Sequence, residues 1–182
     1  DVYKRQGLDI LAGNAGQDQL FGGKGNDQLF GNQDADLLYG ESGDDRLYGG
    51  EGNDQLFGET GADQLFGDEG DDLLSGGSNS DQLSGGDGND RIDTGEGSDV
   101  ATGDAGRDEL YGEAGNDTLN GGLDDDKLFG GEGSDVLNGD KGNDELYGEF
   151  GNDELLGGSG DDRIYGGTDQ DSLNGGDGND QL

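Results

Sequence analysis

Cysteine and histidine are both missing from this chain. Without cysteine there are no disulfides and no thiolate metal sites. With histidine gone as well, the usual zinc sites and the Ser-His and Cys-His catalytic pairs are excluded. Positive charge is scarce: nine Lys and Arg stand against 45 Asp and Glu, for a net charge of −36. Phosphate backbones are bound by basic patches, so this balance argues against nucleic acid as a partner. Apolar residues make up only 26% of the chain and never run for more than a few positions, far short of a membrane span. Methionine is absent too, and the sequence stops part-way through a repeat at Leu182. Both features fit a piece of a longer chain, which is the expectation here.

What is abundant is glycine, with 44 residues among 182. Low hydrophobicity with a high net charge is ordinarily the composition of a disordered acidic segment. A strict short period overturns that reading. The stretch Gly49-Gly50-Glu51-Gly52-Asn53-Asp54-Gln55-Leu56-Phe57 is the unit, and Gly22 to Phe30 repeats it with one change. Asp54 recurs as Asp every nine residues from Asp9 to Asp180. Leu56 recurs as Leu, or as Ile92, Ile164 and Ala101, and Gly49 recurs as Gly from Gly13 to Gly175 except at Thr94. No insertion breaks the register, and a fixed period of this kind dictates architecture. Asp1 to Gln6 lies outside the repeat and reads as the translation of a sequencing-library adapter. Residues 1–6 are therefore set aside as a non-native leader, and 7–182 are expected to form one repeat domain.

Within the unit, Gly-Gly-x-Gly-x-Asp is turn chemistry, because Gly takes positive φ freely and Asn or Asp tolerates it. The remaining x-Leu-x carries one inward residue and reads as a short strand. Three residues cannot stand as a sheet alone, so copies must stack. The outward residues show which copies. Arg91, Glu109, Lys127, Glu145 and Arg163, spaced by 18, alternate in sign, whereas Val100, Thr118, Val136 and Glu154 form a separate, mostly uncharged set. A nine-residue unit with an 18-residue modulation means two units per coil, one on each side. The expected fold is all-β: a right-handed parallel roll of about ten coils, with strands roughly 4.8 Å apart. Stacking brings the Asp series into register, where like charges repel. Oxygen-only side chains with Gly-rich turns suit a hard cation, and Ca²⁺ tolerates that flexible geometry better than Mg²⁺.

The unit Gly49 to Phe57 resembles the calcium-binding nonapeptide of the RTX (repeats-in-toxin) proteins, also called the hemolysin-type calcium-binding region, and the likeness runs from Gly7 to Leu182. The resemblance implies a parallel β-roll, or β-helix solenoid, with Ca²⁺ between consecutive turns on each side, held by backbone carbonyls and by the Asp series. On this chain that role falls to Asp18, Asp27, Asp36, Asp45, Asp54, Asp63, Asp72, Asp81, Asp90, Asp99, Asp108, Asp117, Asp126, Asp135, Asp144, Asp153, Asp162, Asp171 and Asp180. Nineteen complete turns in two stacks give up to about 17 ions by family geometry. The resemblance further implies a non-catalytic module of a secreted bacterial protein that folds on meeting calcium outside the cell. Such a module is exported by type I secretion machinery and fused to a passenger domain outside this sequence. The alternative is a spacer or ligand-presenting segment of a large cell-surface adhesin.

Departures from the consensus carry their own expectations. The second turn Gly is replaced at Glu41, Glu59, Asp104, Glu113 and Glu149, adding either ligands or outward charge. The fourth-position Gly is replaced at Asp34, Asn79, Asp124 and Asp169, residue types that still tolerate left-handed backbone. Phe21, Phe30, Tyr39, Tyr48, Phe57 and Phe66 are expected to form two outward ladders that stiffen the sheets. Asp93-Thr94 and Ala101 mark the stretch where the roll is expected to be most irregular, because Ala101 leaves a gap in the core.

Overall fold

The computed structural model describes residues 2–3 and 6–182 of the chain. Parallel strands recur every nine residues, from Ile10–Ala15 and Gln19–Lys24 to Arg163–Thr168 and Ser172–Asp177, and no helix occurs among the described residues. Successive strands alternate between two sheets, one of eleven strands and one of ten. Every strand therefore pairs with the strand 18 residues away: Leu38 with Leu56, Leu56 with Leu74, Leu47 with Leu65. This is the β-roll expected from the 18-residue modulation of outward residues. The alternating charges fall on directly opposed positions, Arg91 with Glu109 and Glu145 with Arg163. Ion pairs of 3.1 Å and 2.8 Å close those two steps.

The core is one file of inward side chains from each sheet. Eighteen residues from Leu11 to Ile164 are buried, all Leu except Ile92, Ala101 and Ile164. At two per coil the buried core is nine coils tall, against the expected ten. The difference lies at the C-terminal end, where Leu173 is 38% exposed and Leu182 is 65% exposed. A solenoid repeat buries its core only against its neighbours, so the last coil has no lid. At the other end Val2–Tyr3 pairs with Leu20 and Phe21 in the same 18-residue register. Asp1, Lys4 and Arg5, the remainder of residues 1–6 apart from the exposed Gln6, lie outside the described residues.

Two expectations about the unit need correction. The strand is longer than x-Leu-x: Gln55–Thr60 and most of its equivalents span six residues. Pairing passes over the first Gly and resumes, as in Glu59 with Gly77 and Thr60 with Ser78. The Gly-Gly-x segment thus belongs to the ladder, and the turn proper is only three residues. The second correction concerns why Gly is required. Positive φ occurs at the second and fourth positions, as at Gly50 (111°) and Gly52 (136°), but Gly49 is not among the positive-φ residues. The replacements at the fourth position do take left-handed backbone, Asp34 at 69°, Asn79 at 82°, Asp124 at 76° and Asp169 at 80°. So do the second-position glutamates, with φ of 65–74° at Glu41, Glu59, Glu113 and Glu149.

The outward aromatics stack as expected, in two early ladders. Phe21, Tyr39 and Phe57 lie 5.1 and 5.0 Å apart between ring centroids, and Phe30, Tyr48 and Phe66 lie 4.9 and 5.0 Å apart. A third ladder runs through Tyr111, Phe129, Tyr147 and Tyr165 at 4.8–5.0 Å. Interplanar angles of 3–14° turn each ring's face to its neighbour.

The irregular step is displaced from its expected place. Ala101 keeps its register with Leu83 and Leu119. The break falls in the next coil of the other sheet, where one strand is split into Glu109–Tyr111 and Ala114–Gly115. That break stacks directly on Asp93-Thr94-Gly95, which puts it against Thr94 and in the sheet opposite Ala101.

Candidate metal centre

Each unit turns one corner between the two sheets, and each corner ends on an Asp. Asp27 and every ninth residue onward to Asp162 are Asp with at most 4% exposure; Asp18, Asp171 and Asp180, near the ends of the stack, are half-buried. The two carboxylate oxygens have different surroundings. Oδ1 accepts the backbone N–H of the Asp one coil earlier, as Asp54 does from Asp36 at 2.6 Å and Asp72 from Asp54 at 2.7 Å. This ladder runs from the Asp9 amide, donating to Asp27, to the Asp162 amide, donating to Asp180, at 2.6–3.1 Å. Oδ2 is buried and meets no hydrogen-bond donor at every ninth residue from Asp36 to Asp162.

Buried polar atoms are nearly always paired, so a whole series of orphaned oxygens calls for an explanation. The surroundings of Oδ2 supply it. A Cβ on Gly31 would lie 2.5 Å from Asp36 Oδ2 and 2.6 Å from the carbonyl oxygen of Gly49, one coil further on. At Gly22 the corresponding distances are 2.8 Å to Asp27 Oδ2 and 2.9 Å to the Gly40 carbonyl. A carboxylate oxygen and a backbone carbonyl from the next coil thus converge beside the first Gly of most turns. The Gly49 series is glycine because a side chain would fill that cradle.

Burial pushes these carboxyls upward. They reach about 6 at Asp54, Asp63, Asp108, Asp135 and Asp144. They reach about 7 at Asp45, Asp72, Asp81, Asp90 and Asp117, and about 8 at Asp126. The amide bonded to Oδ1 pulls the other way, and like-charged neighbours in the stack add to the rise, as Asp108 and Asp144 do on Asp126. The corner therefore holds two oxygens and a carboxylate charge that only a proton or a cation can meet. An oxygen-only donor set of this kind fits a hard cation such as Ca²⁺. Among the described residues no group of three or more acidic side chains converges on one point, so backbone carbonyls would have to complete any ligand set.

A second ladder went unread in the sequence. Where the residue before the Asp is Asn, Asp or Ser, its side chain commonly bonds a backbone amide of the coil that follows, in the opposite sense to the Asp ladder. Asp71 Oδ1 accepts the Asn89 amide at 2.8 Å, Asn116 Oδ1 the Ser134 amide at 2.8 Å, and Asp125 Oδ1 the Asn143 amide at 2.9 Å. The signal was present: Asn, Asp or Ser fills that place in most units, and short polar side chains commonly bond nearby backbone. The second-position acids Glu59, Asp104, Glu113 and Glu149 are exposed, which makes them outward charge. Asp104, for instance, is taken up by the outer-face hydroxyls of Ser84 at 2.6 Å and Thr102 at 3.3 Å.

One corner differs. Thr94 is fully buried, and its hydroxyl donates to the Gly112 carbonyl at 2.9 Å. It also borders the Asp99 carboxylate and opposes the upward push of burial there.

A β-solenoid whose corners repeat a buried oxygen cradle fits a class of cation-binding repeat proteins. Within that class, this chain matches the model of the RTX calcium-binding nonapeptide repeat, four copies to the model, over residues 6–38, 30–65, 66–101, 93–128, 121–155, 129–162 and 147–182. It belongs to that family, whose repeats bind calcium. Comparison with curated proteins finds no match. No helix among the described residues is long and apolar enough to cross a membrane.

Proposed function

We propose that this chain is a calcium-induced folding module of a secreted bacterial protein, with no catalysis of its own. The observation that carries the reading is the unmet Oδ2 at every ninth residue from Asp36 to Asp162. The series Asp18 to Asp180, with the carbonyls beside the first Gly of each turn, would hold the ions, up to about 17 by the family's geometry. When bound, calcium supplies the positive charge that lets stacked carboxylates stay ionised inside the roll. Where calcium is scarce, the chain's charge of −36 opposes stacking. In extracellular fluid, modules of this type bind at about 10⁻⁴–10⁻³ M. Binding free energy then becomes folding free energy. This behaviour suits a protein exported unfolded through type I secretion machinery, carrying a passenger domain beyond this sequence.

The alternative, a ligand-presenting adhesin segment, has less support. Stacked rings turn their faces to one another and leave mainly edges for a sugar to meet. The test is circular dichroism of the chain in chelator and in millimolar Ca²⁺ at neutral pH. The expected result is a disordered spectrum in chelator and a strand spectrum with calcium. A chain already strand-rich and cooperative in chelator overturns the proposal.

A further inference from the structure

At the position that opens each turn, Thr94 is the single departure from glycine between Gly13 and Gly175. At the neighbouring corner on the same side, a Cβ on Gly76 would lie 2.5 Å from the Thr94 carbonyl oxygen and 2.6 Å from Asp81 Oδ2. Thr94 places a real Cβ, a methyl and a hydroxyl into the equivalent space of its own corner, and it is fully buried there. Its hydroxyl donates to the Gly112 carbonyl at 2.9 Å, the carbonyl that at a glycine corner faces the carboxylate across the cradle, and it stands beside the Asp99 carboxylate, the other acceptor its one proton could serve. The coil above yields to this bulk, its strand parting between Glu109–Tyr111 and Ala114–Gly115. The Thr94 carbonyl still serves the Asp81 corner, so only one cradle is affected.

We propose that the Asp99 corner takes no calcium ion because Thr94 plugs it, its hydroxyl doing for the Gly112 carbonyl what a cation does at the glycine corners. The inference rests on reading those corners as calcium sites. The plug divides one of the two calcium ladders into equal runs, Asp27 to Asp81 below it and Asp117 to Asp171 above it. The other ladder, which includes Asp90 and Asp108, passes the plug without interruption. The chain therefore carries, in the middle of the stack, one step at which the carbonyl of the next coil is met by a hydroxyl and not by a metal.

The test is the calcium count of the full chain by native mass spectrometry, for wild type, Thr94→Gly and Thr94→Val. Thr94→Gly restores the cradle and is expected to bind one ion more than wild type. Thr94→Val keeps the bulk without the hydroxyl; its count is expected to equal wild type, with a lower melting temperature in saturating calcium because the Gly112 carbonyl loses its donor. An unchanged or lower count for Thr94→Gly overturns the plug, the lower count by making the hydroxyl a ligand. A gain of an ion in Thr94→Val also overturns it. A wild-type chain that binds no calcium would instead sink the reading of the corners themselves, a separate and recognisable failure.

Discussion

The corner from Gly49 to Asp54 and the corner from Thr94 to Asp99 are built from the same nine-residue unit, yet they close differently. At the first, a buried carboxylate oxygen faces a carbonyl of the next coil across a space with no side chain in it. At the second, a threonine fills that space and gives the carbonyl a neutral donor. The first arrangement leaves the strand above intact, Gln64–Glu69. The second parts the strand above it. The contrast teaches that this fold tolerates a lost residue in its core better than an added side chain at its corner. Ala101 empties most of a core position without disturbing its pairing. Thr94 adds three heavy atoms beside the Gly112 carbonyl, and the strand there is interrupted, although the Gly112 N–H still donates to the Phe129 carbonyl at 2.9 Å and the Glu132 N–H to the Glu113 carbonyl at 2.7 Å.

The largest way to break this contrast is pH in the absence of calcium. Eleven of the buried carboxyls, from Asp54 at the low end to Asp126 at the high end, stand at about 6 to 8 in the fold, against about 3.9 when unfolded. The folded chain therefore binds more protons between these values, and its stability falls as pH rises through them. This contribution is complete below about pH 4 and lost above about pH 8. Chelated chain is thus expected to gain strand signal by circular dichroism as pH is lowered from 8 towards 5. With calcium bound, the carboxylates are held ionised and the trend reverses, acid releasing the metal. If acid restores no structure in chelator, unmet charge is not what holds the glycine corners open, and the difference between a charged cradle and a neutral plug loses its meaning.

Core substitutions sharpen the same comparison at a smaller scale. Leu56→Ala in saturating calcium is expected to cost about 2–5 kcal/mol by urea denaturation, as large-to-small changes in packed cores do. Ala101→Leu is expected to act in the opposite direction and gain about 2 kcal/mol, the worth of the added buried methyl groups. A cost at Ala101 would mean that the coils have closed over the gap and that the core is as unforgiving as the corner. The smallest effect is expected at Glu59, which holds left-handed backbone and opposes Glu41 on the next strand. Glu59→Gly relieves about 1–2 kcal/mol of backbone strain but adds unfolded-state freedom worth about 0.4–1 kcal/mol. A net gain of about 0–1.6 kcal/mol in thermal denaturation follows from those two effects.

Much of this could be read along the chain, and the reasons are specific. Arg91, Glu109, Lys127, Glu145 and Arg163 alternate only at a spacing of 18, so the pairing partners were legible before any coordinates. The inward file from Leu11 to Ile164 was legible because each unit offers a single apolar position between polar or aromatic ones. The Asp series was legible as a candidate site because no solvated surface needs the same acid at every ninth residue. The strand length was not legible, since Gly-Gly-x reads locally as a turn even though it pairs across coils as Glu59 does with Gly77. The plug at Thr94 was visible as an exception, but its consequence was placed at the wrong residue.

The sequence by itself determined the period, the two-sided coil, the partners of every strand and the acids that line the corners, because all of these follow from which residue types recur at nine and eighteen. Only the tertiary structure decided what each oxygen of those acids does. Oδ1 is spent on an amide one coil back, while Oδ2 faces a carbonyl one coil on. That division depends on the spacing and tilt of successive coils, which no single unit encodes. The same is true of the first glycine. Its necessity is not a matter of its own backbone angle but of the room its neighbours in space require, and that room exists only once the coils are stacked.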